Sequence, residues 1–280
     1  MRALAVTTSL QDYLEEIMRT LPGRGSERFV EGRGAEVARV GAGVSAARSG
    51  RLAWARTVLA RVGYRVVRVT DTGTRRDYLV IREPAPCRRC WGTYVLPAGG
   101  RSRATVVEVP HPRSDEHTEA FGTEAFQALN ASALLIAGTH RAANRSAASD
   151  VAHNGGSAFT AVHRRLTARG TLVLQYHGFG RAGRARYPQV VISDGVDRKG
   201  TGARPPAHLR RLERNLRARG ISAGVFDGTR WRDLGATRNV QGAHTRAQGG
   251  RFVHMEHAPE IRRSEAERTR AIRAVRMTFP

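Results

Sequence analysis

The segment ATVVEVPH, residues 104–111, decides the fold because a mostly apolar strand leads directly to a histidine. Two later segments repeat the pattern: ALLIAGTH over 133–140 and TLVLQYH over 171–177. The spacing of apolar residues between them predicts helices over 118–129 and 157–166. Continuous apolar runs are typical of strands that are buried on both faces. The alternation therefore predicts an α/β fold, with a mostly parallel mixed sheet and helices on both faces.

The remaining apolar patterns extend the same architecture toward both ends of the chain. We expect further strands over 64–69, 78–83, 92–96, 188–195, 222–228 and 250–257, and further helices over 10–19, 44–61, 206–219 and 262–273. From Pro22 to Gly43 the sequence is rich in glycine and arginine and shows no periodicity. The predicted organisation is a variable, partly disordered region over 1–45, followed by a single α/β domain over 46–280.

Length and hydropathy exclude several classes of protein. In 280 residues, no run approaches the roughly 18 consecutive apolar residues of a membrane span, so we expect no membrane partner. The first apolar patch covers only a few residues before acidic residues begin, which is too short for the core of a secretory signal, about 7–15 residues. No signal peptide is visible, and the location stays open between the cytoplasm and export with a missing leader.

Positive charge dominates the composition. Lys and Arg number 47 against 24 Asp and Glu, which gives a formal net charge of +23, and Lys199 is the only lysine. Such a balance suits nucleic-acid binding. The arginines are scattered along the chain, however, and no aromatic-rich segment accompanies them for base stacking. We therefore expect no nucleic-acid partner, and a basic, non-catalytic nucleic-acid-associated protein is the alternative. Tight binding that falls steeply with salt, in a metal-free protein, would favour that alternative.

Residues 105–140 reverse this charge balance, because Arg113 is the only Lys or Arg among five acidic residues. The segment also holds His111 and His140, two of the three histidines that follow apolar strands; the third is His177. In open α/β sheets, ligands bind at the carboxyl ends of the strands. Histidines placed there by independent strands, beside a local excess of acid, indicate cation binding.

His111 opens the segment HPRSDEHT, in which Asp115 and Glu116 lie four and five residues later. An imidazole and a carboxylate at that separation can converge on one ion, and with a second imidazole they form the ligand set of a catalytic zinc site. We expect His111, Asp115 and His177 to hold Zn²⁺, with Glu116 and His140 as second-choice ligands. The alternative is that Asp115 only caps the helix that follows it.

A catalytic metal site also needs a base that takes a proton from water. The candidate is Glu256, in the segment GRFVHMEHAPEIRR over 250–263, because it stands at the end of an apolar strand late in the chain. The alternative is an ordinary strand-terminal glutamate that is paired with Arg262.

The only two cysteines, Cys87 and Cys90, form a CxxC motif between two predicted strands. A structural zinc site needs four ligands, and the chain has no second CxxC. A redox motif would follow a strand and open a helix, whereas Pro84 and Pro86 precede this motif. We expect a loop disulfide or two free thiols.

Taken together, these motifs resemble the zinc carboxypeptidase-like amidohydrolases. The shared pattern is a strand ending in His111, then Asp115 or Glu116 and Thr118, then a strand ending in His177-Gly178, and late in the chain Phe-Val-His-Met-Glu256. Over about residues 104–265 the chain is most similar to the N-formylglutamate amidohydrolase and poly-γ-glutamate hydrolase branches. One position departs from the family's His-x-x-Glu, because Ser114 stands third after His111.

The resemblance implies a zinc-carboxypeptidase/phosphorylase-like fold and makes residues 46–280 a catalytic domain. It implies a metal-dependent amide hydrolase with Zn²⁺ as cofactor and Glu256 as catalytic base. The bond cleaved would be an amide next to a carboxylate-bearing group, in a small-molecule or peptide-like substrate.

The same resemblance assigns candidate substrate-binding residues. Arg238 and Asn239 lie where the relatives place polar residues that bind substrate, and Arg141 and Asn144 are a second candidate pair. Arginine suits a substrate carboxylate because its planar guanidinium can donate to both oxygens.

Overall fold

The computed structural model describes residues 4–280, and within them ten strands form one sheet. The strands are β1 (Leu4–Thr8), β2 (Arg65–Asp71), β3 (Asp77–Arg82), β4 (Thr93–Pro97), β5 (Arg103–Val109), β6 (Ala131–Ile136), β7 (Leu172–Gly178), β8 (Val190–Ser193), β9 (Ala223–Val225) and β10 (Arg251–His257). Their order across the sheet is β1-β2-β3-β4-β6-β5-β7-β10-β8-β9. At the centre β6, β5, β7 and β10 run parallel to one another, and antiparallel pairs flank them on both sides. The predicted α/β class with a mixed sheet is confirmed.

Helices cover both faces of this sheet. They are α1 (Leu10–Arg19), α2 (Gly34–Arg48), α3 (Leu52–Ala60), α4 (Thr118–Ala128), α5 (Ala158–Leu166), α6 (Ala207–Arg217), α7 (Val240–Ala247), α8 (Pro259–Arg263) and α9 (Glu265–Thr278). Within residues 4–280, none of these helices is long and apolar enough to cross a membrane.

Alternate residues of the central strands enter two separate apolar cores, one on each face of the sheet. Val107 and Leu174 belong to the core beneath α1, α4, α6 and α9. Their chain neighbours Val106 and Val173 belong to the core beneath α2, α3 and α5. Because both faces are buried, these strands are apolar at nearly every position. This confirms the expectation of helices on both faces.

The parallel centre of the sheet aligns the polar ends of three strands. In register, Glu108 of β5 lies beside Gln175 of β7, and Glu256 of β10 lies beside His177 of β7. These side chains therefore share one face and one edge of the sheet, where ligands bind in folds of this type.

The expectation of an irregular segment over 22–43 is wrong for its second half, because α2 begins at Gly34. Glycine has a low helix propensity, so three glycines in this helix obscure its apolar spacing. Packing explains the choice of residue: a Cβ on Gly43 would lie 2.5 Å from Cγ of Leu59. Glycine at this position therefore lowers the helix propensity of α2 but allows α2 to approach α3 closely. The division of the chain at about residue 45 stays a prediction.

Three other elements differ from the predicted pattern. The helix expected over 44–61 is two helices, α2 and α3, because Gly50 takes a left-handed conformation between them (φ 77°). β1 was not predicted and adds a parallel edge strand beside β2. α7 was not predicted because its sequence, VQGAHTRA, has few large apolar residues.

The CxxC loop connects β3 to β4. Cys87 and Cys90 form a disulfide there, which is one of the two forms that the sequence left open. The backbone N–H groups of Arg89 and Cys90 donate to the buried carboxylate of Glu83, at 3.0 and 2.6 Å, and this contact fixes the loop against the end of β3.

We expect Asp71→Ala to destabilise the fold. The buried Asp71 carboxylate accepts hydrogen bonds from the backbone N–H groups of Leu10 (2.7 Å) and Thr74 (2.6 Å) and from the Gln127 amide (3.2 Å). It therefore joins α1, the β2–β3 turn and α4. The loss leaves buried donors unpaired and should cost about 1–3 kcal/mol in the free energy of unfolding, measured by urea titration.

At low pH the difference in the free energy of unfolding between the wild type and Asp71→Ala should disappear. Burial acts to raise the pKa of Asp71, but the hydrogen bonds outweigh it and lower the pKa. The stabilisation is therefore present above the unfolded pKa of about 3.9 and is lost as the pH falls through the folded value. Asp77→Ala in the same hairpin removes partly exposed contacts, an ion pair with Arg68 and a hydrogen bond from the Thr70 hydroxyl, and should cost less. An equal loss in both variants would contradict the prediction.

Candidate metal centre and active site

His111, Asp115 and His177 meet at the carboxyl edge of β5 and β7. His111 follows β5 after one proline, and His177 is the penultimate residue of β7. Their ring centroids are 4.8 Å apart. Asp115 Oδ2 lies 3.4 Å from His111 Nδ1 and 3.3 Å from His177 Nδ1. All three residues are buried, and the structure brings the predicted ligands together.

A single helical turn brings Asp115 back to His111. The backbone N–H of Asp115 donates to the His111 carbonyl at 2.8 Å, so the four-residue spacing places the carboxylate beside the ring. Asp115 Oδ2 also accepts from the Gly178 N–H at 3.1 Å, at the end of β7. The capping alternative is wrong, because the N-cap position of α4 is His117 and no side chain caps it.

Hydrogen bonds define which imidazole nitrogens face the carboxylate. His111 Nε2 lies 2.9 Å from Asp150 Oδ1, and His177 Nε2 lies 2.8 Å from Gln175 Oε1. An ionised carboxylate and an amide oxygen only accept hydrogen bonds, so each Nε2 donates. Both Nδ1 atoms then keep a lone pair that faces the Asp115 oxygen. Three acceptors directed at one point fit a divalent cation.

The pKa shifts of His111 and Asp115 also indicate that positive charge is favoured between these residues. Burial acts to lower the pKa of His111, but hydrogen bonds to Asp115 and Asp150 outweigh it and raise this pKa to about 8. Burial also opposes ionisation of Asp115, but hydrogen bonds to both histidines outweigh it and lower the pKa of the carboxyl. Burial lowers the pKa of His177 to about 4. The two carboxylates beside His111 thus favour positive charge at this point, and a metal ion bound to the neutral rings would supply it.

Glu256 lies on the neighbouring strand β10, on the same face as His177. Burial raises its pKa to about 8, and the charge of Asp115 acts in the same direction. One carboxylate oxygen, Oε2, is buried and has no hydrogen-bond partner among the described residues. The other lies 3.7 Å from His254 Nε2. A carboxylate with a pKa near neutrality and an unpaired oxygen has the properties of a general base.

The alternative pairing of Glu256 with Arg262 is not found among residues 4–280. The Arg262 guanidinium instead donates to the backbone carbonyls of His257, Phe179 and Glu116. Arg262 therefore joins the ends of β7 and β10 to the start of α4, and Glu256 stays free for other partners.

A cavity of about 230 Å³ opens in front of these groups. Its wall includes His111, His177, His254 and Glu256, and beside them Arg141, His153, Arg232, Arg238 and Asn239. Three of the four predicted substrate-binding residues therefore line the cavity. The fourth, Asn144, lies outside it, because its amide group bonds to both the N–H and the carbonyl of Phe29.

The two second-choice ligands lie apart from the metal-binding groups. The Glu116 side chain is 68% exposed and lies 3.7 Å from Arg263. His140 accepts a hydrogen bond from the Ala142 N–H through Nδ1. Among residues 4–280 a second possible donor group exists, formed by His177, His254 and Glu256.

Two further residues orient the histidines of the site, and one of them, Gln175, was not assigned from sequence. Gln175 and Asp150 each accept from the Nε2 of one histidine. Gln175 had a signal that could have identified it, because it is a polar residue inside the apolar strand TLVLQYH. The sequence does indicate that Asp150, in the segment SDVAHN over 149–154, borders the site, but it does not give the partner, because His111 is 39 positions away.

We expect separate substitutions of the adjacent acids Asp115 and Glu116 to identify the third metal ligand. Asp115→Asn should weaken zinc binding at least about 10-fold, because a neutral amide binds a divalent cation less well than a carboxylate. Glu116→Gln should change it less than about twofold, because this side chain is exposed and turned toward Arg263. Competition with a chromogenic chelator measures both constants. The reverse order would assign the ligand to Glu116.

No family model matches the chain, and no curated protein matches it. Similar solved structures include a bacteriophage poly-gamma-glutamate hydrolase, at 14% identity and a TM-score of 0.43, with 64% of this chain and 84% of that chain covered. They also include N-formylglutamate amidohydrolase from Ralstonia eutropha JMP134, at 14% identity and a TM-score of 0.41, with 67% and 94% covered. A third is a metallo-carboxypeptidase from Burkholderia cenocepacia, at 11% identity and a TM-score of 0.39, with 72% and 60% covered.

Proposed function

We propose that this protein is a metal-dependent hydrolase of amide bonds, with Zn²⁺ held by His111, Asp115 and His177. One observation carries the proposal: two imidazole Nδ1 atoms face the same carboxylate oxygen, at 3.4 and 3.3 Å, while each Nε2 is engaged elsewhere. Two nitrogens, one carboxylate and an open cavity on the fourth side correspond to a catalytic rather than a structural zinc site.

The chemistry divides between the metal and the chain. When bound, zinc polarises a carbonyl oxygen and lowers the pKa of water. Glu256 takes the proton from the attacking water and passes it to the nitrogen of the leaving amine. Its burial and the unpaired Oε2 suit both steps, because the carboxyl can hold or release a proton near neutral pH. Asp150 and Gln175 hold the two imidazoles in place.

The cavity wall supports an anionic substrate. Arg141, Arg232, Arg238 and His153 line it. Among the described residues the only lining carboxylate besides Glu256 is Asp233, which is bound by Arg184 (2.7 Å) and the Tyr187 hydroxyl (3.0 Å). Arg141 is partly committed, because it donates to Asp150 at 2.6 Å. Arg238 is exposed and has no such partner in the described chain, so we assign it to the substrate carboxylate.

The test pairs zinc content with substrate preference. The purified protein should contain about one zinc per chain, and it should hydrolyse N-acyl amino acids or short peptides that carry a free carboxylate. Converting that carboxylate to a neutral amide should lower kcat/KM about 10- to 100-fold, because charge-assisted hydrogen bonds are lost. Equal rates on both substrates would contradict the carboxylate requirement. A protein without metal and without amidase activity would contradict the proposed function.

A further inference from the structure

A chain of buried polar side chains runs behind the metal centre, inside an otherwise apolar layer. Gln175 stands at its middle, on β7, and is fully buried beside Glu108 of the neighbouring strand. Gln241 and Asn239, at the start of α7, approach it from above the sheet. Buried polar groups are costly unless every member is paired, so the direction of each hydrogen bond in this chain is constrained.

One end of the chain is fixed by a backbone donor. The N–H of Gly242 donates to Asn239 Oδ1 at 2.8 Å, in the cap of α7. An N–H can only donate, so the atom that accepts it is the amide oxygen. The other arm of the Asn239 amide is then its nitrogen, which lies 2.7 Å from Gln175. The Gln175 atom that faces it is therefore the oxygen, Oε1.

The opposite end of the chain is fixed by a backbone acceptor and determines the same orientation of the Gln175 amide. The carbonyl of Val151 accepts from Gln241 Nε2 at 2.8 Å, which leaves Gln241 Oε1 on the side of Gln175. Glu108 Oε2 lies 3.0 Å from the same Gln175 arm. Two oxygens facing this arm require it to be the amide nitrogen. Both ends thus orient Gln175 with Oε1 toward His177.

We propose that Asn239 and Gln175 are positioning residues that lock His177 as the Nε2–H tautomer. Since Gln175 Oε1 lies 2.8 Å from His177 Nε2, that nitrogen must carry a proton. The Nδ1 lone pair is then directed at Asp115. The inference rests on the proposed function in taking zinc as the ligand, and it gives Asn239 a role different from substrate binding. Asn239, at the start of α7, thereby determines that Nδ1 of His177 on β7 is the nitrogen left to bind the metal.

The decisive variant is Asn239→Asp. One oxygen of the new carboxylate still accepts from Gly242, and the N-terminus of α7 keeps it ionised. The second oxygen now faces Gln175 Oε1, so two acceptors oppose each other, and a turned Gln175 amide would instead place Oε1 against Glu108 Oε2 and Gln241 Oε1. In either orientation the hydrogen bond from His177 Nε2 to Gln175 is weakened or lost, and a larger fraction of His177 carries its proton on Nδ1. Zinc affinity should fall about 10- to 100-fold.

Two measurements test this inference. Nitrogen-15 NMR of the imidazoles in the metal-free protein should show His177 protonated at Nε2 in the wild type and a larger fraction protonated at Nδ1 in Asn239→Asp. Chelator competition should show the loss of zinc affinity. Gln175→Met, which removes the acceptor, provides a second variant with the same expected direction, and circular dichroism checks that each variant is folded.

The matched control is Asn215→Asp on α6, where the amide donates to the Thr278 hydroxyl at 2.9 Å, far along the chain from the histidines. Its zinc affinity should stay within twofold of the wild type. A wild-type His177 protonated at Nδ1, or full zinc affinity in both Asn239→Asp and Gln175→Met, would overturn the inference. A wild type with the expected tautomer that binds no zinc would overturn the proposed function instead.

Discussion

Alanine at His111 or His177 should remove bound zinc and hydrolase activity together. Each histidine supplies one of the two nitrogen donors of the proposed site, and the third donor, Asp115, lies between them at 3.4 and 3.3 Å. With one imidazole gone, a single nitrogen and one carboxylate remain, which is too few protein ligands for a catalytic zinc site. Zinc per chain, measured by elemental analysis after dialysis, should fall from about one to near zero.

A matched histidine separates this effect from general damage. His208→Ala removes a half-buried imidazole on α6, in a part of the chain that does not line the cavity. It should keep both zinc and activity. If His111→Ala and His177→Ala retain full zinc while they remain folded, the ligand assignment is wrong, and the histidines serve only to hold the strand ends together.

The position of the two histidines followed from sequence because strand ends in parallel sheets obey a simple rule. ATVVEVPH and TLVLQYH are each mostly apolar up to the histidine, and parallel neighbours bring such ends to one edge. His140 satisfied the same rule but lies apart, because β6 ends at Ile136 and His140 follows in a loop, where its N–H donates to the Pro22 carbonyl. Chain order does not give the order of strands across a sheet, so the pairing of His111 with His177 needed the structure.

The contacts that orient the histidines could not be derived from sequence. Gln175 reaches Asn239 across 64 residues, and which amide atom faces which partner depends on the backbone groups at both ends. α7 itself gave no periodic signal, although its first turn carries this contact. Apolar patterning thus predicts the central strands, which are apolar at nearly every position. It does not predict polar contacts between distant segments or helices rich in glycine such as α2.

Glu256→Gln should separate metal binding from catalysis. Glutamine has nearly the same shape as glutamate but cannot take a proton from water, and a general base of this kind contributes about 100- to 10,000-fold in rate. We therefore expect kcat to fall by about that factor while zinc stays at about one per chain. The raised pKa of Glu256, about 8, indicates that its pocket already tolerates an uncharged group, so folding should be unaffected. Glu213→Gln on α6, where the carboxylate pairs with Arg217 and does not line the cavity, is the matched control.

The opposite result would be equally specific, because Glu256 also belongs to the second possible donor group, with His177 and His254. If Glu256→Gln lost zinc as well as activity, the ion would lie in that group and Glu256 would be a ligand instead of the base. His111→Ala would then retain zinc, since His111 is not a member of that group. Zinc content in these two variants therefore distinguishes the positions: loss in His111→Ala with retention in Glu256→Gln supports the proposed centre, and the reverse places the metal on β10.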